Sequence, residues 1–145
     1  MQDLYAAGDK HVQPNLESFQ IAIEAWTKAS DESNAPARAQ QILEWMINTY
    51  KSGANDLAQP STQCFIPVLK AWATSRKLEA PIMAEHLIML MQQLQYQEEI
   101  ESARPNTMCF NIVMSSWLKS ADITSEKRIR QIFEYMDSSS RKGNV

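Results

Sequence analysis

Apolar residues recur along this chain at the helical spacing i, i+3, i+4, i+7, and six stretches carry the pattern. Phe19, Ala22, Ile23 and Trp26 make one such set, and Phe65, Val68, Leu69, Trp72 and Phe110, Val113, Met114, Trp117 are its counterparts further on. Between and after them lie Ala39, Ile42, Leu43, Met46, then Ala84, Leu87, Ile88, Met91, then Ile129, Ile132, Phe133, Met136. This spacing paints one stripe along a helix of period 3.6, whereas a strand would alternate. The pattern predicts an all-α chain of paired helices.

The pairs are in phase. Pro14, Pro60 and Pro105 are separated by 46 and 45 residues, as are Trp26, Trp72 and Trp117, and Met46, Met91 and Met136 are separated by 45 each. A period of roughly 20 to 50 residues marks a solenoid or array, in which each unit buries its apolar face against its neighbours. The predicted organisation is residues 14–59, 60–104 and 105–145 as three helical hairpins. Residues 1–13 stand as the tail of a preceding repeat or a linker, since Met1 falls where the last turns of such a repeat would be. Function is then to be sought in the groove that the repeats share.

Local signals set the predicted ends. Asn15, Ser61 and Asn106, each after a proline, can offer a side-chain oxygen to the first free helix N–H groups. The first helices should end near Ser30, Ser75 and Ser120. Pro36 and Pro81 open the second helices, where a missing N–H costs nothing, and Ser125-Glu126 takes that place in the last hairpin. Gly53 should end its helix, with a loop over Asn55 to Gln59, while Gln92 to Glu101, lacking glycine, should stay helical longer. Pro67 falls inside a first helix, where it costs roughly 3 kcal/mol, so that helix should start late or kink.

Composition narrows the function classes. Fourteen Lys and Arg against seventeen Asp and Glu give a net charge of -3, which argues against a uniformly basic surface for nucleic acid. The balance shifts along the chain, from 3 basic and 6 acidic residues in 14–59, to 4 and 5 in 60–104, to 6 and 4 in 105–145. A polyanion should prefer the C-terminal end. No apolar run reaches the roughly 18 residues of a membrane span, and no secretory signal or other targeting segment is visible. Cys64 and Cys109 sit at equivalent places on neighbouring helices, about 8–10 Å apart and beyond disulfide reach, so both should be reduced, semi-buried thiols. His11 and His86 offer no metal-ligand spacing.

Phe19, Phe65 and Phe110 with Trp26, Trp72 and Trp117 could be stacking platforms, but their i, i+7 spacing on the buried stripe makes them core. The repeated methionines fit the same core. The cluster Lys127, Arg128, Arg130 reads as a solvated convex face. With three glycines in the chain there is no phosphate-cradling loop, and no HExxH or GxSxG motif occurs. The reading is of a protein that is no enzyme and has neither cofactor nor metal.

One family has these signatures in this order. Pro14-Asn15-Leu16-Glu17-Ser18-Phe19, then Trp26-Thr27-Lys28, then Ala39-Gln40-Gln41-Ile42-Leu43-Glu44-Trp45-Met46 resembles the pentatricopeptide repeat. So does Pro105-Asn106-Thr107-Met108-Cys109-Phe110-Asn111 with Trp117-Leu118-Lys119 and Ile132-Phe133-Glu134-Tyr135-Met136. The likeness covers residues 14 to 137, and the period of about 45 is similar to the long-linker variety of the family found in algae. It implies a right-handed α-solenoid of three helix-turn-helix repeats that binds single-stranded RNA along the groove of its first helices, in organellar RNA processing or expression in a mitochondrion or plastid.

Carried over position by position, the resemblance makes Gln20 with Ser61, Ile66 with Asn106, and Asn111 the base-facing residues. It places Lys28 and Lys119 against phosphates, where the middle copy has Thr74. The chain departs from the family at Ile66, which cannot hydrogen-bond a base edge, and at Glu17, Gln63 and Met108, where an apolar residue usually packs on the base. Three bases at roughly 1 to 3 kcal/mol each before costs leave at most a few kcal/mol net, against the roughly 8 kcal/mol of a micromolar complex, so RNA binding by this chain should be weak. The alternative is a protein–protein interaction scaffold, favoured by the acidic balance and the poor reading residues.

Overall fold

The computed structural model describes residues 12–28, 34–120 and 122–142. They form six α-helices and one 3-10 turn, with no strand among the described residues. The helices are α1 (Leu16–Thr27), α2 (Ala35–Lys51), α3 (Thr62–Thr74), α4 (Ala80–Tyr96), α5 (Thr107–Ser120) and α6 (Ser125–Arg141), with the 3-10 turn Glu101–Ala103 between α4 and α5. Residues 1–11, the whole basis for a preceding-repeat tail apart from Val12 and Gln13, lie outside the described residues, as does Ser30.

Each helix packs on the next in the chain, and α1, α3 and α5 also pack on one another in series. The core lies along that line. Phe19 and Ile23 of α1, Phe65, Val68, Leu69 and Trp72 of α3, and Phe110, Val113 and Trp117 of α5 are all buried. From the other helices come Ala39, Leu43 and Met46, then Ala84, Leu87 and Met91. The two alanines keep α2 and α4 close to their partners. Trp26 is only half-buried against this core. The stripe of α6 departs further from expectation: Ile129, Ile132 and Met136 are half-buried, and Phe133 is 63% exposed. Leu43 and Ile88, its counterparts by the sequence period, lie on helices that α3 and α5 cover, and no described helix covers Phe133 in the same way.

The capping signals hold at two of three starts. Asn15 accepts the Ser18 N–H at 2.9 Å while Ser18 Oγ accepts the Asn15 N–H at 3.2 Å, a reciprocal capping box. Asn106 accepts the Cys109 N–H at 3.1 Å. Ser61 makes no such cap, because its hydroxyl turns to Cys64 Sγ at 3.7 Å. We therefore expect Asn15→Ala to cost about 1 kcal/mol and Ser61→Ala only a few tenths, measurable by urea unfolding.

The helix ends differ from the sequence reading in one respect. Gly53 adopts φ +78 and closes α2 as expected, its N–H donating to the Tyr50 carbonyl. The α4 helix does not run on. It ends at Tyr96, as far past Met91 as Lys51 is past Met46, and Glu99 takes the left-handed conformation at φ 57 without help from a glycine. Pro67 sits inside α3, which starts on phase at Thr62, so a late start is ruled out. Its ring leaves the Gln63 carbonyl without the usual N–H four residues on.

The linkers after α2 and α4 are built into the structure. Asn55 is buried, donates from Nδ2 to the Pro14 carbonyl at 2.7 Å and accepts the Leu57 N–H at 2.9 Å. In the next linker Ser102 Oγ donates to the Pro60 carbonyl at 2.6 Å, and Thr62 Oγ1 donates to the Arg104 carbonyl. Ala58 and Ala103, each two residues before a buried proline, are fully enclosed. Each linker thus returns to the start of its own first helix and fixes where that helix begins.

Candidate nucleic-acid interface

Because α1, α3 and α5 pack in series, residues one position past Phe19, Phe65 and Phe110 fall on the same side of three neighbouring helices. They are Gln20, Ile66 and Asn111. Gln20 is half-buried and its Nε2 donates to Gln63 Oε1 of α3 at 3.4 Å, so the residue predicted to read a base is in contact with the next helix. Ile66 is half-buried and packs on the core. Asn111 is exposed on α5.

The predicted partners are differently occupied. Ser61 is half-buried and directed at Cys64, and the exposed Asn106 has its amide oxygen committed to the α5 cap. Gln20 therefore reaches the following helix through Gln63, a residue that sequence reasoning placed against the base, while Ser61 turns inward. Lys28 at the end of α1 and Lys119 in the last turn of α5 are both exposed, as is Thr74 between them, whose hydroxyl donates to the Lys70 carbonyl at 3.0 Å.

Charge in the last segment is less available than its composition suggests. Arg128 was expected on a solvated face. It instead forms a forked ion pair with Glu85 of α4, Nε to Oε1 at 3.0 Å and Nη2 to Oε2 at 2.6 Å, because α6 lies alongside α4 at that point. Arg130 pairs with Glu126 at 2.9 Å and Arg141 with Asp137 at 3.1 Å, both within α6. Among the described residues Lys119, Lys127 and Lys142 form no such ion pair.

Two contacts that the sequence reading missed recur with the period. Trp72 Nε1 of α3 donates to Gln40 Oε1 of α2 at 2.8 Å, and Trp117 Nε1 of α5 donates to Glu85 Oε1 of α4 at 2.7 Å. A buried indole N–H needs such an acceptor. The signal was present as a polar residue directly after Ala39 and Ala84, each 32 residues before its tryptophan. Phe19 meets Trp45 edge-on at 5.2 Å, and Phe110 meets Tyr135 at 5.6 Å, so the first and last hairpins each lock through an aromatic pair.

Cys64 and Cys109 are free and fully buried, more so than the semi-buried thiols expected. Burial pushes both thiols above their ordinary 9.0, an effect that bonds with Ser61 and with the backbone N–H groups near Asn106 only partly offset. The sign follows: the neutral thiol is favoured in the fold, so this contribution to stability is complete below 9.0 and is lost as pH rises through the folded value. Thiol alkylation at pH 8 should accordingly be slow in the native protein and fast in denaturant. Among the described residues no group of three His, Cys, Asp or Glu is placed to hold a metal, and no helix is long and apolar enough to cross a membrane.

A cavity of about 220 Å³ opens between α4, α5 and α6, walled by Ile88, Phe110, Ile132 and Tyr135 with the Glu85–Arg128 pair. None of the predicted RNA-facing residues lines it. Compared with family models, with curated proteins and with solved structures, the chain matches none. The resemblance to pentatricopeptide repeats therefore rests on the quoted residues alone.

Proposed function

We propose that the chain is a non-catalytic, single-stranded RNA-binding module of pentatricopeptide-repeat type, three helical hairpins stacked as a right-handed solenoid. The observation that carries this reading is the serial packing of α1, α3 and α5 with Gln20 touching Gln63 across the first step. That arrangement supports one wall on which successive unstacked bases can be met by successive helices. Lys28 and Lys119, exposed at the same end of α1 and α5, would approach the phosphates, and Asn111 would be the best base reader. A place in organellar RNA expression follows from the same resemblance.

Affinity should be weak and salt-dependent. Titration of a labelled single-stranded oligonucleotide should give an affinity that falls linearly with log salt, and Lys28→Ala with Lys119→Ala should flatten that slope by roughly one to two charges' worth. Binding that ignores both lysines, or none above that of an unrelated acidic protein, would overturn the proposal.

One set of observations favours the second reading, a scaffold for protein partners. Ile66 packs on the core, Ser61 faces Cys64 and Asn106 is spent on a cap. Both members of the middle reading pair are thus poor for bases, and absence of RNA binding would leave the same helical wall to a protein segment.

A further inference from the structure

The outward side of α6 has a charge order that reads the same, with signs exchanged, in either direction. Glu126, Arg130, Phe133, Asp137 and Arg141 follow one another at steps of three or four, which places them within a stripe about 80° wide on a helix of 3.6 residues per turn. All five project into solvent. The side chains of Glu126, Arg130, Asp137 and Arg141 are 84%, 68%, 53% and 79% exposed, and Phe133 is 63% exposed.

Glu126 and Arg141 lie equally far from the midpoint between Phe133 and Glu134, and so do Arg130 and Asp137. An identical helix laid antiparallel on this stripe would set Glu126 against Arg141 and Arg130 against Asp137, twice each, around paired phenylalanines, and these exposed groups would share their charge between the partner and the Arg130–Glu126 and Arg141–Asp137 pairs within each α6. A surface that complements itself under a twofold rotation is what an isologous dimer requires. We propose that α6 is a self-docking face, on which a second copy of the chain packs its own α6 antiparallel about a twofold axis.

The position of this face within the fold supports the same occupant. Leu43 and Ile88, the counterparts of Phe133, are buried at 0% and 7% exposure where α2 meets α3 and α4 meets α5, so Phe133 stands at a place built for burial. A further hairpin of the same kind is a poor fit. At the inner junctions the covering helix brings a tryptophan N–H that needs the acceptor supplied by Gln40 or Glu85. The residue 45 positions after Glu85 is Arg130, which has only donors to offer. Where the inner faces hold an acceptor, this one holds alternating charge.

One helix from each copy makes an interface at the low end of the size range, under about 1,200 Å² in total, and hence a weak dimer. Sedimentation velocity on the full chain, from about 10 µM to about 500 µM, spans the range expected of so small a contact. The expected result is a monomer–dimer equilibrium that weakens at least several-fold between about 0.05 and about 0.5 M salt, and that Phe133→Ser abolishes. The register is tested by two charge reversals. Arg130→Asp alone sets Asp against Asp137 twice, and Asp137→Arg alone sets Arg against Arg130 twice, so each variant should be monomeric. An equimolar mixture of the two restores attraction at both contacts and should dimerise like the parent. Circular dichroism checks that each variant is folded. A parent that stays monomeric throughout, a mixture no better than its components, or growth beyond the dimer would each overturn the proposal.

Discussion

Leu43→Ala should destabilise the protein by about 2–5 kcal/mol, whereas Phe133→Ala, at the same place in the sequence period, should cost less than about 1 kcal/mol. Removing three carbons of an enclosed side chain forfeits their transfer energy and leaves a cavity that the neighbours fill only partly. Leu43 is 0% exposed beneath α3, while Phe133 is 63% exposed and already in water. For a chain of this size the first substitution should lower the midpoint of thermal unfolding by roughly 10 °C and the second by only a few degrees. The comparison belongs at low micromolar concentration, where self-association of α6 contributes little. Equal losses at the two positions would mean that Phe133 is covered after all.

Glu85→Ala should be the next most damaging change, at about 2–3 kcal/mol. One carboxylate accepts both the Trp117 indole N–H and the Arg128 guanidinium, so its loss orphans two donors at once. Trp117 is 6% exposed. The Arg128 side chain is 40% exposed, so solvent screening discounts its share and the indole dominates. Glu85→Gln keeps an acceptor for Trp117 and reproduces the neutral Gln40–Trp72 junction, at a cost of about 1 kcal/mol. Gln40→Ala, which strands one neutral donor, should likewise cost about 1 kcal/mol. Urea unfolding followed by tryptophan fluorescence measures all three, and the ordering fails if Glu85→Gln is as harmful as Glu85→Ala.

Much of the architecture was legible before the coordinates. The i, i+3, i+4, i+7 sets located six helices, but the absence of glycine after Met91 wrongly suggested a longer α4, whereas α2, α4 and α6 all end five residues past their methionine. Periodicity reports which side of a helix is apolar. It does not report whether a neighbour arrives to cover it. That is why Trp26 was placed in the core and Phe133 on an apolar stripe, and the structure leaves both partly in water. The segment after α2 was read as a plain loop and that after α4 as further helix, because Asn55 and Ser102 act through hydrogen bonds to backbone carbonyls about forty residues earlier. The recurrence of Ala-x-Pro at 58–60 and 103–105 was the available clue. Arg128 looked like one of three solvated charges because its partner, Glu85, is 43 residues away on another helix. Gln20, Ile66 and Asn111 lie on α1, α3 and α5, with Ser61 and Asn106 just ahead of α3 and α5, but sequence could not show that Ser61 and Asn106 are already engaged.

The central claim is that α1, α3 and α5 stand in a row and form one wall. Spin labels at Lys28, Thr74 and Lys119, equivalent exposed positions at the ends of these helices, test it directly, with the buried thiols of Cys64 and Cys109 left unlabelled. Neighbouring packed helices lie about 8–10 Å apart, so the 28–74 and 74–119 distances should be short and similar, and the 28–119 distance close to their total. A 28–119 separation no longer than either of the others would mean that the three helices close on one another, and the shared wall would not exist.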